Sequence, residues 1–505
     1  MKLREGVVWT QVEASPEERS WLDQFLTFRD DKAYYRAKAT GGDGFVRMFD
    51  GARFRSGLVP VVKQAVKEVH ELEHEFDLPP ARATVAADLG WLREYQLEAV
   101  EKITRLRRGV VYSPTGSGKT EIAIGCVLTR PARWLFLAHR DNLVRQAAQR
   151  YEKRTGRKPA SVTGAGELVL PDGTVVGTDV EDVLAFATYN LVYKYLPSDA
   201  EWVRYSGKAK LTAMEVLLAS FDGVIVDEVH TVASPGMPTA ILNRCTRAQY
   251  RVGVSGTPAD QGDLRSFQTI ANIGPVRFRI DAATLIAAGH TSPGRAHFVP
   301  VAHPPPKAVT WQGVYKEHVV KSEARLRVSI ACAKRAPTPF LVFVADLKSG
   351  HLRALLEGLR AAGLTVEPVS GSTVSRKRDA QVSRLRDGDL DGIVCTEVFQ
   401  EGVDIPELRS VIIAAGEKST VASVQRLGRG TRLAEDKDEF VIYDVYDYTV
   451  GPPEEWRTAW DWLENHSRDR AHAYRSQAVE VTIGELDEEP QPFPLVGAWK
   501  GKKKW

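Results

Sequence analysis

Cysteine, long apolar runs and a charge of one sign are what this 505-residue chain has little of. Its four cysteines, Cys126, Cys245, Cys332 and Cys395, are scattered and form no CxxC pair, so no disulfide framework is expected. No apolar run approaches the roughly 18 residues that a membrane helix needs, which excludes a helical span and leaves no membrane partner to expect. The opening MKLREGVVWT carries charge where a secretory signal needs an apolar core, so a reducing cytoplasm is the expected compartment. A net charge of +3 is too small to mark the whole chain as a nucleic-acid binder; any basic footprint must be local.

What is present is an ordinary globular composition, 43% apolar and 26% charged, over a length at which one hydrophobic core no longer suffices. Residues 1–88 mix short alternating stretches with a helix-like run that ends at LPPARAT, and read as a small α+β domain. From 89 to 290, GVVYSPT, RWLFLAHR, DGVIVDE and YRVGVSGT alternate with helical segments, the pattern of βαβ units on a parallel sheet. The alternation restarts over 331–475 with PFLVFVAD, LTVEPVSG, DGIVCTE, RSVIIAAG and EFVIYDVYD. Residues 291–330, with PGRAHFVPVAHPPPKAV, read as a linker and connecting helix, and the acidic, proline-bearing 476–505 as a loosely docked tail. The fold class is therefore α/β, with two tandem parallel-sheet domains behind the small first one. Within the first of the two, ELVLPDGTVVG reads as a hairpin turning at Asp172-Gly173.

Two strings carry chemistry. In SPTGSGKT (113–120), between a strand and a helix, the backbone of Pro114, Thr115, Gly116, Ser117 and Gly118 can wrap a phosphate. Lys119 then reaches the β- and γ-phosphates and the Thr120 hydroxyl coordinates Mg²⁺, so ATP with Mg²⁺ is the expected cofactor. In IVDEVHT (225–231) an apolar strand ends in two carboxylates, Asp227 placed to hold Mg²⁺ and Glu228 placed to deprotonate the attacking water.

The order of these and further strings resembles helicase superfamily 2 of the DExH type across residues 90–435. LREYQLEAV offers Arg93 and Gln96 as adenine readers; LFLAHR with Gln146 resembles motif Ia, ATYN (187–190) motif Ib, and DEVH motif II. SGTP (255–258) stands where motif III is expected, with Gly256 in place of the usual alanine. LVFV resembles motif IV, TEVFQEGVDIP (396–406) motif V and QRLGRGTR (425–432) motif VI. The resemblance implies two RecA-like domains, with Gly402 and Asp404 at the nucleotide, and with Gln425, Arg429 and Arg432 completing the catalytic set. His230, Ser255 and Thr257 couple hydrolysis to movement, and Arg140, Thr188 and Thr396 grip a nucleic-acid backbone without reading bases.

The stretch RDDKAYYRAKATGGDGFVRMFDGARFRSGLV resembles the leading domain of phage UvsW-type recombination helicases. Over 29–67 it holds nine basic against four acidic residues, a local footprint in which Arg53 and Arg55 are candidate DNA contacts. The interleaved Tyr34, Tyr35, Phe45, Phe49 and Phe54 are core or base-stacking aromatics. The expected protein is a monomeric ATP-dependent DNA helicase or translocase acting on single-stranded, forked or junction DNA in recombination, replication or repair. Its expected location is the cytoplasm, the host's if phage-encoded. A DExH-type RNA helicase and the motor subunit of a restriction-type translocase are the alternatives; for a fused nuclease, PDGTVVGTDVEDV lacks the ExK that should follow.

Overall fold

The structure, a computed structural model, describes residues 1–30, 43–66, 72–80, 82–177, 180–197, 211–232, 236–256, 263–308, 310–344, 350–370, 373–396, 405, 407–416, 439–450 and 461–493. The chain divides into two compact units, Met1–Ser113 with Gly118–Ile280, and Pro114–Ser117 with Asp281–Trp505.

The first unit begins with β1 (Lys2–Glu5) antiparallel to β2 (Trp9–Glu13), Leu3 opposite Val12. The helix Pro16–Phe25 follows, started by a reciprocal cap: Ser15 Oγ accepts the Glu18 N–H and the Glu18 carboxylate accepts the Ser15 N–H. β3 (Thr27–Arg29) and β4 (Phe45–Arg47) form a separate ribbon, while β5 (Arg53–Arg55) and β6 (Glu73–Phe76) complete a sheet of order β5-β2-β1-β6.

This small sheet does not close a core of its own. Leu3, Val12, Leu22, Phe54 and Leu58 are buried in one cluster with Ile270 and Ala271 of the helix Leu264–Asn272, and the Phe28 ring lies 4.4 Å from that of Phe267. Gly57 sits so close to this helix that a Cβ there would fall 1.9 Å from the Ile270 carbonyl oxygen. Phe49 and Phe54 are core residues, Phe45 is half exposed, and Tyr34 and Tyr35 lie outside the described residues.

The large sheet of this unit has the order β11-β10-β9-β12-β8-β13-β14-β7-β15. β7 (Arg108–Tyr112), β8 (Arg133–Ala138), β12 (Val183–Thr188), β13 (Gly223–Asp227) and β14 (Tyr250–Ser255) run parallel and are almost wholly buried, as helices on both faces require. β9 (Ala160–Val162), β10 (Leu168–Val169) and β11 (Val175–Val176) add an antiparallel meander on one edge, β15 (Val276–Arg279) the other edge; β10 and β11 turn at Asp172-Gly173, as the sequence predicts. Inside β14, Arg251 is 2% exposed and has no carboxylate as a hydrogen-bond partner among the described residues: its guanidinium donates to the carbonyls of Leu242, Cys245, Ala248 and Asn272 at 3.0–3.1 Å. Three of these lie at the carboxyl ends of the helices Met237–Arg244 and Leu264–Asn272, where the helix dipole favours a cation.

The second unit carries the sheet β18-β19-β17-β20-β21-β16-β22-β23. Two segments depart from the sequence reading. Residues expected to link the domains supply β16 (Gly294–His303), paired in parallel with β21 (Phe440–Thr449) along its whole length. Pro300, which suggests a loop, is tolerated because β22 (Glu480–Ile483) pairs only as far as Phe298, so the absent N–H falls beyond the end of that ladder. The tail expected to dock loosely contributes β22 and β23 (Gln491–Pro492), and buries Val479, Val481 and Phe493 in the core. The remaining strands are β17 (Phe340–Phe343), β18 (Val366–Val369), β19 (Gly392–Cys395) and β20 (Ser410–Ile413), all parallel. Among the described residues no helix is long and apolar enough to cross a membrane.

The shared core makes a prediction. Gly57→Ala must push the module away from the helix Leu264–Asn272, and is expected to cost about 1–3 kcal/mol, the scale of overpacking. Thermal denaturation of the full chain checks it; an unchanged midpoint would show that the module is not seated on this helix.

Candidate active site

Because β7, β8, β12, β13 and β14 are parallel and in register, their carboxyl ends form one edge: Ser255 pairs with Tyr112, Asp227 with Val254, Val226 with Leu137, and Thr188 with Ala138. In open α/β sheets ligands bind along this edge, and the site residues of the first unit are collected there.

From Tyr112 the chain enters SPTGSGKT, where Gly116 (φ +88°) and Gly118 (φ +81°) take left-handed conformations that a side chain would strain. A Cβ on Gly118 would also lie 2.4 Å from Nε2 of the buried Gln96. Gln96 is thus beside the phosphate loop, and its Oε1 accepts the Arg93 N–H at 2.9 Å, starting the helix Glu94–Leu106. The helix Lys119–Thr129 starts at Gly118 and turns its N-terminal amides toward the loop, the arrangement that binds anions. Glu121, one residue past Thr120, is nearly buried and accepts both Nε and Nη2 of Arg154 at 3.1–3.3 Å, which fixes this helix to the helix Asp141–Thr155.

The Lys119 ammonium donates to Ser113 O at 3.5 Å and stands 3.9 Å from Glu228 Oε1. Glu228 itself has φ +48°, an uncommon backbone for a side-chain-bearing residue, and its N–H donates to Asp227 Oδ1 at 3.0 Å. Gly253 makes room for the turn: a Cβ there would meet Val229 at 2.6 Å. Ser255 joins three motifs. Its carbonyl accepts the Ser113 N–H at 3.0 Å, and its hydroxyl lies 3.4 Å from Glu228 Oε2 and 3.2 Å from His230 Nδ1. His230 Nδ1 is 3.4 Å from the same carboxylate oxygen.

The two carboxyls differ in proton affinity. Burial and the neighbouring Glu228 charge push Asp227 above the usual carboxylate range. Burial acts on Glu228 in the same direction, but the Lys119 ammonium and the His230 hydrogen bond outweigh it and hold Glu228 below its ordinary value. Two crowded carboxylates, one of them short of positive charge, fit a divalent cation at Asp227.

The motif residues of the first unit, Arg93, Gln96, Ser113, Gly118, Lys119, Asp227, Glu228, His230 and Ser255, gather at the sheet edge. Arg140 is half exposed immediately before the helix Asp141–Thr155; the Thr188 hydroxyl accepts the Leu191 N–H at 3.3 Å and so caps the helix Tyr189–Lys194. Thr396 is buried just after β19. Arg53 pairs with Asp50 at 2.9 Å, and Arg55, the other candidate DNA contact of this module, donates to Asn243. Thr257, Gly402, Asp404, Gln425, Arg429 and Arg432 lie outside the described residues. Sequence reasoning missed Tyr189, whose buried hydroxyl donates to Asp227 O at 3.4 Å, although it sits inside ATYN. It also missed His139, which follows β8 directly and lies near enough to both carboxylates to act on them electrostatically.

A phosphate loop beside paired carboxylates on a parallel sheet defines a P-loop nucleoside triphosphatase. Two family descriptions match the chain: "Type III restriction enzyme, res subunit" over residues 90–260 and "Helicase conserved C-terminal domain" over 323–434. In this order on two parallel sheets they make the protein an ATP-dependent helicase of superfamily 2. The DNA 3'-5' translocase XPB2 of Sulfurisphaera tokodaii is 25% identical over 70% of this chain and 80% of its own. The chain spans 58–64% of the length of four further curated relatives. The DNA-bound Type ISP restriction-modification enzyme LlaBIII shares the fold at a TM-score of 0.54, with 16% identity, covering 85% of this chain and 34% of its own. T4 UvsW covers 96% of this chain and 99% of its own at 17% identity and a TM-score of 0.41, and nothing further rests on it.

Lys119→Ala is expected to abolish ATP hydrolysis, and Glu228→Gln to retain ATP binding while losing turnover by at least ~10²-fold, because an amide cannot accept the water's proton. Nucleotide binding and phosphate release measured together check this; near-normal turnover in Glu228→Gln would remove the assigned base.

Proposed function

We propose that the protein couples ATP hydrolysis to 3′→5′ translocation on DNA, and so unwinds or branch-migrates forked and junction DNA in recombination, replication or repair. The observation that carries the reading is the Ser255 junction: one residue bonds the phosphate loop, the Glu228 carboxylate and His230. Whatever changes at the γ-phosphate is thereby transmitted to the end of β14. The names of the curated relatives, DNA 3'-5' translocases and helicases, support the choice of track.

In the chemistry, the amides of the 113–120 loop hold the phosphate chain and Lys119 compensates its charge. Glu228, kept ionised by Lys119 and His230, takes the proton of the attacking water. Asp227 and Thr120 would hold Mg²⁺, which would supply positive charge to the phosphate oxygens. Arg429 and Arg432, with Gln425, complete the proposal as donors to the transition-state charge, and Gly402 and Asp404 as further nucleotide contacts. Arg140, Thr188 and Thr396 are proposed as backbone contacts, with Arg53 and Arg55 as supplementary ones from the N-terminal module; Thr257 is proposed with His230 and Ser255 in coupling.

The deciding experiment measures ATP turnover with single-stranded DNA, duplex DNA, a four-way junction and RNA of matched length. DNA is expected to stimulate turnover at least ~10-fold, the junction most strongly, as the arginine- and lysine-rich module adds phosphate contacts. Stimulation by RNA equal to or above that by DNA would favour the RNA-helicase reading, and stimulation by duplex DNA alone the restriction-type motor.

A further inference from the structure

Within the first unit, the N-terminal module and the helices Met237–Arg244 and Leu264–Asn272 border a cleft of about 280 Å³ that no motif accounts for. One wall is cationic. Arg47 and Arg53 each spend one bond on an aspartate, Asp43 at 2.6 Å and Asp50 at 2.9 Å, which leaves most of their donors for another anion. Arg53 and Arg55 pack on the Trp9 ring with guanidinium carbons 4.6 and 4.7 Å from its centroid. Held on an indole, these long side chains lose less freedom when they bind.

The opposite wall is different. Phe49 and Ala271 make it apolar, and the amides of Gln268 and Asn272 interrupt it. Asn272 is 5% exposed; its Nδ2 donates to Gln268 O at 2.9 Å, and its Oδ1 is buried with no hydrogen-bond donor among the described residues. An orphaned acceptor of this kind costs stability unless a ligand serves it. Val232, at the end of the short turn that follows the catalytic carboxylates, closes the cleft on the motor side.

We propose that this cleft takes one unstacked nucleotide of a DNA strand, its phosphate on Arg47 and Arg53 and its base on the apolar wall with an edge toward Asn272. The inference rests on the DNA reading above. It gives the N-terminal module a base-dependent grip, whereas the motor contacts are of types that hold the backbone alone. Because the cleft ends at Val232, occupancy bears on the turn that positions Glu228 and His230.

The test uses the full chain and fluorescence anisotropy with a thymidine oligonucleotide of about 20 residues and an abasic strand of the same length, over a range of salt. The wild type is expected to bind the base-bearing strand roughly tenfold more tightly than the abasic one, the scale of one base seated on an apolar wall. Asn272→Leu should narrow that gap by removing the contact to the base edge, while leaving the thermal midpoint unchanged or raised, since it also removes the orphaned acceptor. Arg47→Gln with Arg53→Gln should flatten the log-log salt dependence by about 0.7, the value for one phosphate held on a single strand. A gap unchanged by Asn272→Leu, together with a salt slope that survives the double substitution, overturns the proposal. DNA-stimulated turnover of the same wild-type sample separates the two failures: its absence strikes the DNA reading, while its presence with an unchanged gap and slope strikes the cleft alone.

Discussion

Parallel pairing of β7, β14, β13 and β8 is the constraint on which the candidate site depends. Parallel strands must be joined by crossovers, so every strand of this group leaves the sheet at the same edge, and the chain turns there into a helix or a functional loop. The register then does the positioning. With Ser255 opposite Tyr112 and Asp227 opposite Val254, the phosphate loop, the carboxylates and the serine that joins them come within bonding distance although they are scattered over more than a hundred residues of sequence. A slip of one residue in any pair would turn the side chains to the other face of the sheet.

Electrostatics act on that frame. Two carboxylates at the end of a buried strand repel each other, and the structure resolves the conflict unequally: Lys119 and His230 attend to Glu228, while Asp227 is left short of positive charge. The inequality matches the division of labour between a base that must stay ionised and a carboxylate suited to a cation. The left-handed backbone at Glu228 belongs to the same arrangement, since it lets adjacent residues aim their side chains differently.

Much of this was legible in the sequence because the strings that do phosphate chemistry are local. Glycines at 116 and 118, the lysine after them and the paired carboxylates closing an apolar strand each state their geometry within a few residues. The strands of both large sheets were legible too, as apolar runs bounded by turns. What was not legible depends on distant partners. β16 looks like a proline-broken loop until β21, some 140 residues later, is laid beside it. The acidic tail looks unstructured because the apolar residues it adds to the core, Val479, Val481 and Phe493 among them, are spread thinly through a polar stretch. The first 88 residues look like a separate domain because nothing local reveals that Gly57 lies against the Ile270 carbonyl. Tyr189 was hidden for the opposite reason: its motif was read for the threonine beside it.

Arg251 sets a limit on how the protein responds to its surroundings. Its charge is balanced by carbonyl dipoles at two helix ends and is sealed from water, so dissolved ions reach it poorly. The exposed arginines of the N-terminal module have no such shelter. Raising the ionic strength should therefore strip away a polyanion long before it loosens the joint that ties the strand of Ser255 to the helix bearing the module. Salt would act on this protein as a release agent well below the concentrations at which it acts as a denaturant, leaving an intact molecule ready to bind again.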